Sequence, residues 1–177
     1  MEVLLAAVWI FLPAGVANMA PVLVGRVPLL NYPIDFNRQL FGKRIFGDHK
    51  TWRGLVFGIL SAMVVVAVQK NWQPFPVVAS FLDYSQINIF LWGLLLGGGA
   101  LVGDLIKSFF KRQLSIAPGK SWLVADQLDW IKGALVFTAF AHWWPWTIWL
   151  SAIIIFGMLH PIINLIGYWL GIKINKF

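Results

Sequence analysis

The sequence contains no cysteine and few charged residues. Without cysteine, disulfide scaffolds, thiolate metal sites and cysteine nucleophiles are all excluded. Only 12% of the 177 residues are charged, against about a quarter in a soluble domain, while 59% are hydrophobic. Too few polar residues are left to cover a core in water. The chain is therefore predicted to lie in lipid, as a single domain.

Several functional patterns are missing as well. The sequence has no P-loop, no Ser/His/Asp arrangement and no His-Glu-x-x-His pattern. It has no basic tract of the kind that forms a nucleic-acid-binding arm, so no nucleic-acid partner is expected. The apolar start has no basic region in front of it, which predicts a first membrane span rather than a cleaved signal peptide.

Uncharged runs of about 20 residues mark the predicted spans, because a charge at the bilayer centre costs roughly 2.5–3.5 kcal/mol. The uncharged run over 133–172 would be about 60 Å long as one helix, so it must hold two spans, divided at Pro145. The five predicted spans are 3–25, 54–69, 84–104, 128–144 and 146–172. We expect an all-α integral membrane protein whose single domain covers residues 1–177.

Positive charge predicts the orientation of these spans. All of the 14 Lys and Arg residues except Lys70 lie on the side that holds the loops 26–53 and 105–127 and the C-terminal tail. Basic residues concentrate on the cytoplasmic side of a membrane. We therefore expect the N-terminus outside, the C-terminus in the cytoplasm and two polar cytoplasmic loops, in the cell membrane.

Two aspartates flank the start of the predicted fourth span. Asp126 and Asp129 are three residues apart, so a helix places both carboxylates on one side, where they repel each other. A bound Mg²⁺ would relieve that repulsion, since Mg²⁺ is commonly held by one or two carboxylates plus substrate phosphates. The alternative is a solvated helix start, where acids are favoured by the helix dipole.

Basic residues precede the second span and follow the third. If the third span continues as a helix into the cytoplasm, four polar residues share one face, namely Asp104, Lys107, Ser108 and Lys111. The alternative is a helix end whose long side chains reach for water. Lys50, Thr51 and Arg53 would either bind phosphate oxygens or anchor the second span at the interface.

Three sequence blocks carry a family resemblance when they are taken together. They are Lys50-Thr51-Trp52-Arg53-Gly54, Gly103-Asp104-x-x-Lys107-Ser108-x-x-Lys111-Arg112 and Gly119-x-Ser121-Trp122-x-x-x-Asp126-Gln127-Leu128-Asp129. With His160-Pro161-x-x-Asn164, they resemble the CDP-archaeol synthase family, the archaeal branch of the CTP:phosphatidate cytidylyltransferases. The Lys-Asp of the wider family reads Ala117-Pro118 here. Asp104 is therefore expected as the third carboxylate.

The resemblance implies an activity and a set of site residues. The activity is transfer of CMP from CTP to an ether-linked lipid phosphate, 2,3-bis-O-geranylgeranylglyceryl phosphate, with release of pyrophosphate. The expected catalytic and Mg²⁺-binding residues are Asp104, Asp126 and Asp129, with a second cation left open. The expected nucleotide- and phosphate-binding residues are Lys50, Thr51, Arg53, Lys107, Ser108, Lys111, Arg112, Lys120, Ser121 and Gln127. Membrane lipid would surround the chain, and a homodimer is left open.

Other functions predict different sequences. A small-molecule or ion transporter, the main alternative, would carry charged residues inside its spans and two similar halves, and neither is seen. A CDP-alcohol phosphotransferase would show an Asp-Gly…Ala-Arg…Gly…Asp…Asp signature, which is not found. A membrane scaffold without activity would have loops of generic composition.

Overall fold

The computed structural model describes residues 1–117, 120, 122 and 125–169, except for the side chains at 160, 161, 163, 164 and 167. Within these residues the chain forms five long helices, two short 3₁₀ helices (Val24–Arg26 and Pro76–Ser80) and one short hairpin. The long helices are α1 (Glu2–Leu23), α2 (Trp52–Asn71), α3 (Ile89–Gln113), α4 (Ala125–Ala139) and α5 (Trp146–Trp169). The hairpin pairs β1 (Gln39–Leu40) with β2 (Lys43–Arg44).

The predicted all-α membrane class is confirmed. Helices α1, α2 and α3 are each long and apolar enough to cross a membrane, and the part of α5 over Trp146–Leu159 is a shorter apolar helix. Helix α4 has 15 residues and is about 22 Å long, less than the hydrocarbon thickness of about 30 Å. The direction in which the helices cross stays a prediction.

Both ends of α3 differ from the predicted span 84–104. Helix α3 begins at Ile89, capped by the Asn88 side chain, instead of at Tyr84. Tyr84 and Ile87 lie in the preceding loop, yet they are buried against the core. Because both are apolar, the sequence pattern does not distinguish them from residues of the span. At its other end α3 runs nine residues past the predicted limit of 104, to Gln113.

Small residues bring the helices close together. Helix α1 is central and packs against the other four. Along α3, the turn over Leu94–Gly98 is a π-helix that contains Gly97 and Gly98. A methyl group added at Gly97 would lie 2.7 Å from Ala62 on α2. The glycine run of the third span therefore serves close helix packing, which is the use that an apolar environment favours.

A second glycine contact joins α3 to α4. A methyl group at Gly103 would lie 2.2 Å from the carbonyl oxygen of Asp129, and one at Gly133 would lie 2.1 Å from the carbonyl oxygen of Gly99. Both distances are shorter than any ordinary carbon–oxygen contact. The two backbones can approach this closely only because neither glycine has a side chain. This contact lies directly beside the polar ends of both helices.

Candidate active site

The C-terminal part of α3 has the polar face that the sequence predicted. Because the helix continues to Gln113, Asp104, Lys107, Ser108 and Lys111 follow each other at helical spacing. Ser108 and Lys111 are buried, and the Asp104 and Lys107 side chains are each only 14% exposed. Such burial shows that this face of α3 is covered by neighbouring segments rather than solvated.

Lys107 lies among three carboxylates. Its Nζ atom is 2.7 Å from Oδ2 of Asp129, 3.0 Å from Oδ1 of Asp104 and 3.1 Å from Oδ1 of Asp126. Asp104 also pairs with Lys50, which lies at the end of the loop that precedes α2. The three aspartates that the sequence singled out are therefore gathered around one ammonium group.

Asp126 has its own set of donors. Lys111 Nζ donates to both of its oxygens, at 3.2 and 3.1 Å, and also to the carbonyl oxygen of Lys120 at 2.6 Å. The backbone N–H of Trp122 donates to Asp126 Oδ2 at 2.6 Å. These bonds fix the carboxylate at the first turn of α4, so its direction does not depend on α4 alone.

A basic cleft of about 220 Å³ opens on the same face of α3. Its wall is formed by α3 on one side and by the loop that joins α1 to α2 on the other. Six of its lining residues carry or can carry positive charge: Arg44, His49, Lys50, Lys107, Lys111 and Arg112. Ser108 adds a hydroxyl. Such a cleft fits a polyanion that several cations contact at once.

An apolar cleft of about 360 Å³ lies between α3 and α4. Its apolar walls include Val102, Ile106, Phe110, Val136 and Phe137. Three charged residues also line it, namely Lys107, Asp129 and Lys132. Lys107 thus lines both clefts, which makes it the point where a polyanion and an apolar chain with a charged head would meet.

The carboxylates of the site are arranged so that they could hold a cation. Among the described residues, no three His, Cys, Asp or Glu side chains already form a metal cluster. The three aspartates nevertheless place one oxygen each within 3.1 Å of a single positive group, the Lys107 ammonium. Their oxygens are the ligands that Mg²⁺ prefers. The donor set therefore fits a cation in the position that Lys107 now holds.

A buried ion pair organises the wall of the basic cleft. The Asp35 side chain is fully buried and accepts from Arg44 Nη2 at 2.7 Å and Nε at 3.3 Å. It also accepts from the backbone N–H groups of Asn37, Phe46 and Gly47 at 3.0–3.1 Å. Burial alone would raise the pKa of Asp35, but these donors outweigh burial and lower its pKa to about 2.

Four other predicted site residues occupy different kinds of position. Thr51 caps α2, because its hydroxyl accepts from Gly54 N–H at 3.2 Å. Arg53 donates to the carbonyl oxygen of Val27. Lys120 is exposed, and Gln127 is half-buried on α4. None of these four lines either of the two clefts described above.

Three residues of the predicted motifs cannot be placed in the site, and two residues that shape the site were not predicted. Ser121 and the side chains of His160 and Asn164 lie outside the described residues. The roles of Asp35 and Arg44 were left open by the sequence, although they shape the basic cleft. The available signal was an acid, Asp35, among the basic residues of a loop, since an acid is fully buried almost only when it is paired.

Comparisons with known proteins agree on one family. The family model described as CarS-like CDP-archaeol synthase matches residues 1–177. A CDP-archaeol synthase of Methanoculleus marisnigri is 37% identical over 171 residues, covering 92% of this chain and 97% of that protein. The Pyrococcus furiosus CDP-archaeol synthase is 35% identical over 170 residues and covers 95% of each chain.

A solved structure is similar as well. It is described as an intramembrane enzyme for archaeal membrane lipids biosynthesis, and it matches with a TM-score of 0.71 at 30% identity. The match covers 90% of this chain and 92% of that one. The likeness therefore extends through the helix bundle and is not confined to one motif.

The fold and the site define an integral membrane enzyme with a charged cleft at one end of its helix bundle. The chain belongs to the CDP-archaeol synthase family. It is thus a CTP-dependent nucleotidyltransferase, which confirms both the resemblance and the enzyme class that the sequence predicted.

Proposed function

We propose that this enzyme transfers CMP from CTP to an ether-linked lipid phosphate, 2,3-bis-O-geranylgeranylglyceryl phosphate, to make CDP-archaeol. An oxygen of the lipid phosphate attacks the α-phosphorus of CTP. The bond from that phosphorus to the bridging oxygen of the β-phosphate breaks, and pyrophosphate leaves. The names and the lengths of the relatives support this assignment, since each alignment covers nearly the whole chain.

The observation that carries the proposal is the position of Lys107. Its side chain lines both the basic cleft and the apolar cleft. A triphosphate in the first and a lipid headgroup at the mouth of the second would therefore meet beside the same ammonium group. Bringing two polyanions together in line is the main demand of phosphoryl and nucleotidyl transfer.

The basic residues would offset the charge of the nucleotide. Lys50, Lys107 and Lys111 balance the three aspartates in the free enzyme, so the cleft is close to neutral where they meet. Arg44 and Arg112 add charge along the cleft wall. Their planar guanidinium groups suit paired contacts to phosphate oxygens.

Asp104, Asp126 and Asp129 would hold the divalent cation that cytidylyltransferases of this kind generally use. When bound, a cation such as Mg²⁺ neutralises phosphate charge and polarises the oxygens of the reacting phosphate. Lys107 would exchange its carboxylate partners for phosphate oxygens as substrate enters. Asp126 would keep its orientation through the Trp122 N–H and Lys111.

The chemistry needs no strong general base. A lipid phosphate is already an anion near neutral pH, so no proton must be removed before it attacks. The cluster accordingly consists of lysines and aspartates. His49 lines the basic cleft and exposes its side chain to solvent. The apolar cleft between α3 and α4 would receive part of a lipid chain and leave the phosphate at headgroup depth.

The basic loops support an active site on the cytoplasmic side. The transporter alternative is not favoured, because α1 and α2 carry charged residues only at their ends, and the charges of α3 and α4 lie in the halves of those helices that meet at the cluster. A charge pathway through the bundle would need polar groups near the middle of the described helices.

Purified enzyme in lipid vesicles, given CTP labelled at the α-phosphate, tests the proposal. We expect label in the lipid fraction and an equal amount of pyrophosphate, both dependent on the ether-linked lipid phosphate and on Mg²⁺. Asp83→Asn is a matched control, since Asp83 lies in the loop between α2 and α3 and accepts hydrogen bonds from the N–H and the hydroxyl of nearby Ser85, far from the cluster in sequence. Pyrophosphate release without labelled lipid would refute the assignment.

A further inference from the structure

The loop between α1 and α2 exposes large apolar side chains. Phe41 is 88% exposed, Tyr32 67% and Phe36 62%, and Leu29 and Leu40 are exposed beside them. We refer to these five residues as the loop patch. Exposed apolar groups of this size in a loop indicate a surface that meets something other than water.

Two residues of the loop patch have strained backbone conformations. Phe36 has a φ of 47° and Phe41 a φ of 51°, in the left-handed region that glycine and asparagine favour and phenylalanine avoids. The neighbouring Asn37, at φ 64°, suits that region. The strained turns gain no buried core contact for the exposed rings. A contact outside the chain would explain why bulky apolar residues stand at these positions.

Backbone hydrogen bonds fix the depth of the patch. The N–H groups of Arg53 and Trp52 donate to the carbonyl oxygens of Leu30 and Tyr32, at 2.8 and 3.0 Å. The Phe36 ring lies 6.1 Å from the Trp52 ring. Trp52 is the first residue of α2, whose 20 residues are about 30 Å long, the thickness of the hydrocarbon core. Tyr32 and Phe36 are therefore held at the level where α2 begins.

The charges of this loop are positive on balance. Arg38 is exposed and Lys43 half-buried. Of the two acids in the loop, Asp35 is buried against Arg44, and Asp48 is exposed and also pairs with Arg44. A mixture of aromatic and basic side chains at this level is typical of segments that lie in the membrane interface and attract anionic headgroups. Charge and depth thus favour the same neighbour, a lipid surface.

We propose that the loop patch inserts into the headgroup–acyl boundary of the bilayer that the helices cross, with anionic lipid as its partner. The hairpin is tied to the end of α3, because Lys43 Nζ donates to the carbonyl oxygen of Gln113 at 2.6 Å. The same loop supplies Arg44 and Lys50 to the basic cleft. Insertion would therefore set the depth of that cleft relative to the lipid headgroups.

The absence of cysteine gives a direct test, because each introduced cysteine is the only one in the chain. Phe41→Cys and Tyr32→Cys are labelled with an environment-sensitive fluorophore in vesicles of phosphatidylcholine and phosphatidylglycerol. Val64→Cys, exposed near the middle of α2, is the lipid reference. Ser115→Cys, exposed after α3, is the water reference. Retained CMP transfer by all four labelled variants establishes that they are folded.

We expect acyl chains brominated near the headgroup to quench the labels at 41 and 32 by at least half as much as the label at 64. Aqueous iodide should quench them less than the label at 115, and removing phosphatidylglycerol should weaken bromolipid quenching at 41 but not at 64. Quenching like that at 115 would overturn the proposal. Protection from both quenchers would also overturn it, since protein would then cover the patch.

Discussion

Replacing Gly103 with alanine should disable the enzyme while leaving it able to fold. The added methyl group would lie 2.2 Å from the Asp129 carbonyl oxygen and 3.2 Å from the Gly133 Cα. Carbon and oxygen need about 3.3 Å, so α3 and α4 must separate by about 1 Å at this point. Asp129 would then leave its 2.7 Å contact with Lys107.

The structure gives the size of this effect. A misplacement of about 1 Å at a reacting group costs roughly 10²-fold in rate. Overpacking of a tight contact costs about 1–3 kcal/mol of stability. We therefore expect a fall in kcat of about 100-fold, measured by CMP transfer with labelled CTP. The melting temperature in detergent should fall moderately, and the variant should remain folded at the assay temperature.

A matched variant on the same helix separates geometry from general damage. At Gly98 an added methyl group would be no closer than 3.5 Å to any neighbour, the Leu94 side chain, which is an ordinary contact. Gly98→Ala should therefore keep most of its activity. If Gly103→Ala were as active as Gly98→Ala, the close approach of α3 and α4 would not set the position of the carboxylate, and this reasoning would be wrong.

Other predictions concern the charged groups. Asp126→Asn and Asp129→Asn should each lower CMP transfer by orders of magnitude, because a neutral amide loses the charge that pairs with cations. Lys111→Ala should raise the KM for CTP in initial-rate assays, since it removes a positive group from the basic cleft. Asp35 has a folded pKa of about 2 against 3.8, so its stabilisation of about 2 kcal/mol holds above pH 4 and is lost as the pH falls toward 2. Melting curves should show this loss in the parent chain but not in Asp35→Asn.

Each of these has a result that would contradict it. Full activity of either asparagine variant would remove the aspartates from the reaction. An unchanged KM in Lys111→Ala would leave that lysine as a support for Asp126 alone. Equal pH dependence of melting in the parent chain and in Asp35→Asn would show that the Asp35–Arg44 pair does not act on stability. Asp83→Asn, which changes an acid outside the site, serves as the control throughout.

Part of the candidate site could be predicted because a helix repeats locally. The 3.6-residue period places Asp104, Lys107 and Lys111 on one face once the helix is assumed to continue. The same period places Asp126 beside Asp129. The boundaries were less predictable, because hydropathy cannot distinguish a buried loop residue such as Tyr84 from a residue of the span.

Residues distant in sequence could not be assigned in this way. Thr51 and Lys50 are neighbours, yet Thr51 caps α2 while Lys50 reaches Asp104, 54 residues further along the chain. Asp35 and Arg44 meet through a hairpin whose left-handed turns include Phe41 and Gly42. No local pattern specifies such contacts, because they depend on how the loop folds back onto α3.

The sequence by itself determined the environment of this protein and the chemistry of its polar residues. Its scarcity of charge requires lipid around the helices, and the spacing of its aspartates requires carboxylates on common faces. Only the tertiary structure decided that three carboxylates share one lysine and that this lysine lies between a basic and an apolar cleft. The physical reason is that burial depends on local composition, whereas a site depends on the distances between helices, which here are set by glycines that let α3 and α4 touch.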